Sequence, residues 1–321
     1  MRFYLRYFSL LVGVLIVAST VLAQTFVATV VAVNGDVKVL HLPLPGDHGP
    51  FLKVHNRTYI YHQAKLGAKI DPGEIIMSGT NGKVRLVYPN GDTFFVAYGS
   101  SFVLPVELNK QAKNNRHRAN SLVKMYYGRF RALISKLGPR NRLRVVTPDA
   151  VAGVRGTDFF VRSNATVGTQ LVVLRGAVAM RSKISSSHSI LVKTGYLAQA
   201  KNKAITVPKV ILVTRESLQK IRQESALKVN AREVAKLPKV EQKEIHELQK
   251  KAFESVMVDI HSHNPALYKE LKRHKVKKLD QINNVVISRL WNHAPTAKNQ
   301  KPALKMPKSN KHSYYRHPVV Q

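Results

Sequence analysis

The chain has 321 residues, 44% of them apolar, enough to bury a sizeable core and to allow two domains. Its 52 Lys and Arg against 18 Asp and Glu give a formal charge of +34. That balance speaks to acidic or polyanionic partners, or to a basic bias shared by exported proteins, and not to fold. Cysteine is absent, which excludes a disulfide framework, a thiolate nucleophile and a Cys-based zinc site.

At the N-terminus Arg2 and Arg6 precede the apolar run Phe8–Ala23, with Val21 and Ala23 at the positions a signal peptidase reads. Residues 1–23 are therefore expected to be a signal peptide, with an uncleaved membrane anchor as the alternative. No charge occurs from Tyr7 to Gly35, a stretch long enough to span a bilayer. Gln24, Thr25 and the strand-like pattern from Phe26 favour cleavage. Either way the working part is expected outside the inner membrane, periplasmic or secreted, or anchored and facing the periplasm, with no cytoplasmic part ahead of the apolar run.

Residues 24–208 read as an all-β domain. Short Val-rich runs such as TFVATVVAV, NGKVRLVYP and TQLVVLRGAVAM alternate with turn residues. Asn34-Gly35, Asn81-Gly82 and Asn90-Gly91 are hairpin-type turn signals. The irregular spacing predicts an antiparallel sandwich, roll or solenoid rather than a propeller.

Within this region Leu108–Pro148 is a basic block. It carries Lys110, Lys113, Arg116, Arg118, Lys124, Arg129, Arg131, Lys136, Arg140, Arg142 and Arg144, with no acid between Glu107 and Asp149. NKQAKNNRHRAN has the composition of an exposed loop, and SLVKMYYGRFRALISKL fits a hairpin or a short helix. Interleaved Tyr126, Tyr127 and Phe130 make the block a candidate polyanion-binding surface, against the plainer reading of a solvated loop.

Residues 209–293 change to helical periodicity. Thr214 is a plausible N-cap, followed by a stripe of Leu227, Ala231, Val234 and Ala235. A second stripe is Ile245, Leu248, Ala252 and Val256, with Glu247 and Lys251 at ion-pair spacing. Asn264-Pro265 opens a third segment, and Leu279, Ile282, Val286 and Leu290 form a fourth stripe. Being amphipathic, these helices must pack on something. Residues 294–321, with four prolines and no acid, read as a basic disordered tail. The basicity is spread over both parts of the chain, which argues against one dedicated binding tail.

The least generic stretch is VTPDAVAGVRGTDFFV, Val146–Val161, followed by LVVLRGAVAM. Together with LGAKIDPGEIIMSGTNGKVRLVYPNGDTFFVAYGSSFVL upstream, it resembles the signature of the FecR domain family over about residues 26–200. The motif residues are Thr147, Pro148, Gly153, Arg155, Gly156, Thr157, Asp158 and Gly176. The resemblance implies a mainly β domain outside the inner membrane. In the regulator that gives the family its name, that domain senses an outer-membrane iron-citrate transporter and relays its state to a cytoplasmic sigma-factor regulator. Lone FecR-type domains on exported chains look like non-catalytic envelope modules.

Arg155 is either a binding group presented by glycines or an internal clasp. Asp149 and Asp158, the only acids between Glu107 and Glu216, flank it, so an ion pair with one of them is expected. His261 and His263 are too few for a metal site. No Ser-His-Asp order, G-x-S-x-G elbow, P-loop or dinucleotide fingerprint occurs, and acids are too sparse in the β region for paired-carboxylate chemistry. A non-enzymatic envelope interaction or scaffold module is therefore expected, without a cofactor, metal or small-molecule substrate. Its partner would be an envelope protein or an anionic envelope polymer, with nucleic acid less favoured. The alternatives are a secreted polyanion-binding protein and a transducer tied to a membrane partner.

Overall fold

The computed structural model describes residues 27–54, 56–107, 120–135, 142–184, 189–201 and 208–297. The expected signal peptide or anchor, the loop with Lys110, Lys113, Arg116 and Arg118, residues Lys136 and Arg140, and the tail beyond 297 lie outside the described residues. Among the described residues no helix is long and apolar enough to cross a membrane.

Eighteen strands occur among the described residues. The first nine are β1 (Ala28–Asn34), β2 (Val37–His41), β3 (Phe51–Val54), β4 (Arg57–Gln63), β5 (Lys69–Ile70), β6 (Ile75–Ser78), β7 (Lys83–Val87), β8 (Thr93–Val96) and β9 (Ser100–Glu107). Then come β10 (Asn120–Leu133), β11 (Arg142–Val146), β12 (Ala150–Val154), β13 (Asp158–Asn164), β14 (Gly168–Arg175), β15 (Ala177–Ser182), β16 (Ser189–Lys193), β17 (Tyr196–Ala200) and β18 (Lys209–Leu212). Five helices follow: α1 (Arg215–Glu224), α2 (Ala231–Val234), α3 (Lys239–His263), α4 (Pro265–Arg273) and α5 (Leu279–His293). The chain is thus mainly β with a C-terminal helical extension.

The strands form two sheets. One runs β5-β1-β7-β8-β10-β13-β14-β17-β18, antiparallel throughout. The other runs β3-β4-β2-β6-β9-β10-β11-β12-β15-β16, antiparallel except for the parallel pair β10–β11. A first apolar core lies between the sheets, centred on Phe130, which stacks on Phe102 at 5.7 Å and meets Phe159 edge-on at 6.0 Å. A second core lies between the first sheet and the helices, built from residues such as Val31, Phe95, Phe160, Leu248, Ile260 and Ile282. The order is outer sheet, middle sheet, helical layer.

Sequence pattern follows this layering. Outer-sheet strands alternate, as in AVAGV of β12, because one face meets the core and the other does not. The central strands of the middle sheet are buried on both faces, so TFFV of β8 and the start of β13 are nearly continuous apolar runs.

Strand β10 belongs to both sheets. Ser121–Tyr127 pairs with β9 in the outer sheet, and Gly128–Leu133 pairs with β8 and β13 in the middle sheet. The change occurs at Gly128, whose φ is +104°. Ser100 knits the kink: its Oγ accepts from the Arg129 N–H at 2.9 Å and donates to the Ala97 carbonyl at 2.7 Å. This segment is therefore one long strand, not the hairpin or short helix that SLVKMYYGRFRALISKL suggests.

Two further expectations about turns and boundaries need correction. Asn90-Gly91 does close the β7–β8 hairpin, but Asn34-Gly35 and Asn81-Gly82 are corners where the chain crosses between sheets. They pack together, with the Asp36 carbonyl accepting from the Gly79 N–H at 2.8 Å and the Asn81 side chain accepting from the Asp36 N–H at 3.2 Å. The last strand occupies 209–212, so the change to helix comes at Thr214 rather than at 208.

In the helical layer Thr214 caps α1 by accepting from the Ser217 N–H, and the Asn264 side chain caps α4 by accepting from the Leu267 N–H. The stripe Ile245, Leu248, Ala252 and Val256 is buried, as are Leu279, Ile282 and Val286; Leu290 is half-buried. The stripe from Leu227 to Ala235 is broken, with only Leu227 and Val234 half-buried. Helix α1 ends at Glu224, Ala231 and Ala235 are exposed, and Leu218 and Ile221 are the α1 residues that face the core. Glu247 lies 3.9 Å from Lys243 one turn earlier, rather than pairing with Lys251.

A Cβ at Gly128 would overlap Ser100, in a backbone region that L residues avoid. Gly128→Ala should therefore lower unfolding stability by at least about 2 kcal/mol in urea titration. Gly99→Ala, at φ +61° with open space around it, should cost clearly less.

Candidate functional site

The motif divides into a turn, an exposed arginine and a buried aspartate. In the turn before β12, the Thr147 Oγ accepts from the Ala150 N–H at 2.9 Å. It also meets the Thr169 hydroxyl at 2.7 Å, and Thr169 donates to the Asp149 carboxylate at 3.0 Å. Pro148 is exposed, whereas Thr147 and Asp149 are buried. Gly153 is half-buried on the outer face of the outer sheet. Gly156 and Thr157 are buried beneath Gly176, where a Cβ would come within 2.7 Å of the Thr157 methyl. Turn, glycines and threonine thus join β12, β13 and β15.

Arg155 is exposed, and among the described residues no ion pair joins it to Asp149 or Asp158. The expected clasp exists with a different arginine. Arg131, 1% exposed, holds Asp158 in a two-pronged pair: Nε donates to Oδ1 at 2.8 Å and Nη2 to Oδ2 at 2.6 Å. Antiparallel pairing of β10 with β13 sets Leu133 opposite Asp158, so Arg131 reaches it along the same face. Arg131 also donates to the Ser225 hydroxyl at 3.3 Å and to the Asn283 side chain at 3.1 Å, tying both sheet strands to the end of α1 and to α5.

Arg131 is one of several arginines projecting from the middle sheet into the helical layer. Arg85 on β7 is 2% exposed, stacks 4.9 Å from the Phe95 ring and lies 3.3 Å from Asp280 on α5. Burial pushes its guanidinium below the usual range, and Asp280 opposes that shift. Arg175 on β14 pairs with Asp259 on α3, both buried. Arg129 pairs with Glu224 at the end of α1 at 3.1 Å and lies 4.5 Å from the Tyr98 ring. Burial raises the Glu224 carboxyl above its ordinary value, with Arg129 and neighbouring cations opposing it. The sequence reading missed Arg85, Arg175, Asp259 and Asp280.

These positions correct the reading of the basic block as one surface. Arg131 is sealed and paired, and Arg129 is half-buried on the helical side of the middle sheet, where it pairs with Glu224, so both lie away from the outer sheet. Lys124 and Arg144 are exposed on the opposite side of the sandwich, on the outer sheet. The kink at Gly128 sends the two halves of β10 to different faces. Arg142 begins β11, and its side chain is outside the described residues.

The outer face of the outer sheet can be read from its register. Leu191, Ala179, Gly153, Arg144 and Leu122 lie side by side across five strands. The next row is Ser189, Arg181, Val151, Val146 and Lys124. Lys124 also lies 5.0 Å from the Tyr126 ring, and Lys193 is exposed beside Ala177. No acid is among these outward positions. Elsewhere, His261 packs on Tyr268 and His263 lies 3.3 Å from Asp259.

Removing the Arg131 guanidinium leaves Asp158 buried without its cation. Arg131→Met should cost about 3–5 kcal/mol in urea unfolding, partly recovered by adding Asp158→Asn. Arg155→Met should change stability by no more than about 0.5 kcal/mol; an equal loss in both single variants would return the clasp to Arg155.

No curated protein matches the chain by sequence. Two crystal structures of a Parabacteroides distasonis protein assigned as an anti-sigma factor are similar at 14% and 13% identity. They cover 43% and 46% of this chain and 57% and 63% of their own, with TM-scores of 0.33 and 0.35. This chain thus spans less than two thirds of the length of either. The family model described as FecR protein matches residues 74–179, about a third of the chain, the stretch from just before β6 into β15.

Proposed function

We propose that the chain is a non-enzymatic, regulatory interaction module of the cell envelope, and that it docks a protein partner on its outer sheet. The observation that carries this reading is the acid-free face of β10–β12, β15 and β16. There Lys124, Arg144, Arg181 and Lys193 surround Leu122, Val146, Val151 and Leu191, the last 44% exposed. The other broad β faces are occupied: two by the core between the sheets, one by the helices.

A protein surface with acidic side chains around apolar ones complements this face. Cations of this kind speed and orient encounter, while burial of apolar side chains prolongs the complex. A bare polyanion would use the cations and leave Leu191 and Val151 without a role. The FecR match supports a regulatory rather than catalytic part for the chain. The signal-peptide pattern of residues 1–23 supports the envelope.

Placing a photoreactive amino acid at position 179, in the middle of the face, tests this in living cells. One discrete protein adduct is expected, lost when Arg144→Glu and Arg181→Glu are combined. The same probe at Val258, exposed on α3, should give no such adduct. Salt-labile recovery of glycan or nucleic acid with no protein adduct would instead favour polyanion binding and overturn the docking reading.

A further inference from the structure

A cavity of about 500 Å³ lies where the middle sheet meets the helical layer, remote from the outer-sheet face. Its rim is formed by the β14–β15 turn at Gly176 and the β16–β17 turn at Thr194 and Gly195. The opposite wall comes from the C-terminal end of α3 and from α5. Leu174, Ile260, Leu267, Val286 and Leu290 give it an apolar lining, and the volume is in the range that holds a small organic ligand. Gly156 of the family motif also lines it, so the motif and the helices share this space.

The polar groups are few and unequal in sign. Arg175, 8% exposed, gives one arm to Asp259, while its Nη2 is buried with no hydrogen-bond partner among the described residues. Arg289 lines the cavity and lies 3.4 Å from Glu270, which does not line it. His263 and His293, with the uncharged Thr194 and Asn264, are further polar residues of the lining. The His263 Nδ1 is 3.0 Å from the Asp259 carbonyl and the His293 Nδ1 is 2.9 Å from the Arg289 carbonyl, both within their own helices. Asp259, 1% exposed and already paired with Arg175, is the acid in the lining. An unsatisfied buried guanidinium N–H is costly, and a carboxylate is the group that satisfies it best.

We propose that this cavity binds a small apolar molecule bearing a carboxylate, with the acid group at Arg175 and Arg289 and the hydrocarbon among Leu174, Leu267, Val286 and Leu290. The ligand would bridge β14 to α3 and α5, so its occupancy tightens the helical layer onto the sheet. This does not depend on the docking face, since no residue of that face lines the cavity.

Titration calorimetry of the purified protein with octanoate, octanol and octylamine tests the proposal. Octanoate should bind at least tenfold more tightly than either analogue, and it alone should raise the melting temperature. Leu290→Trp, which fills the cavity, should abolish the heat of binding. If that variant does not fold by circular dichroism, Leu212→Trp at the rim serves in its place and should weaken octanoate at least tenfold. No octanoate binding, equal binding of octanol, preference for octylamine, or unchanged binding in the folded filling variant would each overturn the proposal.

Discussion

Arginine side chains from the middle sheet enter a nearly dry layer, and each has to meet an anion there. Arg85, Arg131 and Arg175 are at most 8% exposed, and an unpaired charge at that depth would cost several kcal/mol. Two of the acids that answer them, Asp280 and Asp259, sit on α5 and α3. The third, Asp158, lies in the sheet, but its arginine also binds Ser225 and Asn283 from the helical layer. The apolar contacts of the second core supply most of the attraction between sheet and helices, but they are tolerant of sliding. The charge pairs are not: a helix shifted by one turn would strand a buried guanidinium. Burial therefore holds the layers together, and the arginines select one register.

The same constraint accounts for where the net charge shows. Acids are scarce, 18 in the whole chain, and several are committed to these internal pairs. Cations in excess are left to solvent, and the outer face of the outer sheet shows the result, with Lys124, Arg144, Arg181 and Lys193 and no acid beside them. The kink at Gly128 makes this separation within one strand. Before it, Lys124 points away from the sandwich; after it, Arg129 and Arg131 point into the helical layer. One basic stretch of sequence thus supplies both a surface and an interior lock. The Gly156–Gly176 contact lies at the cavity beside the Arg175–Asp259 pair, where the middle sheet meets the helices.

Much of this was legible from residue order, and the failures have physical causes. Alternation and turn residues gave the β region, and the stripe Ile245, Leu248, Ala252, Val256 marked the buried side of α3. Asn34-Gly35 and Asn81-Gly82 were misleading because a tight turn looks the same whether it joins paired strands or carries the chain between sheets. Arg155 drew the ion pair because it is close to Asp149 and Asp158 in sequence. The pair is decided across strands instead, where β10 brings a residue 27 positions away onto the same face. A usable signal was present: TFFV, DFFV and QLVVL are apolar on both sides, so a second layer had to cover that sheet. That cover is where the arginines of β7, β10 and β14 point. The apolar pattern after Glu224 was overridden because α1 stops at Ser225, whose hydroxyl accepts from Arg131.

The central claim is that charge pairs fix the helices to the sheet, and Arg175 with Asp259 is the pair that most directly joins β14 to α3. A double-mutant cycle of Arg175→Met and Asp259→Asn, followed by urea unfolding, isolates their interaction from the surrounding apolar contacts. The account predicts a favourable coupling energy of about 2 kcal/mol or more, within the range for contacting residues in one network. A coupling energy within about 0.5 kcal/mol of zero, as for independent sites, would mean that burial alone sets the register and would contradict the account.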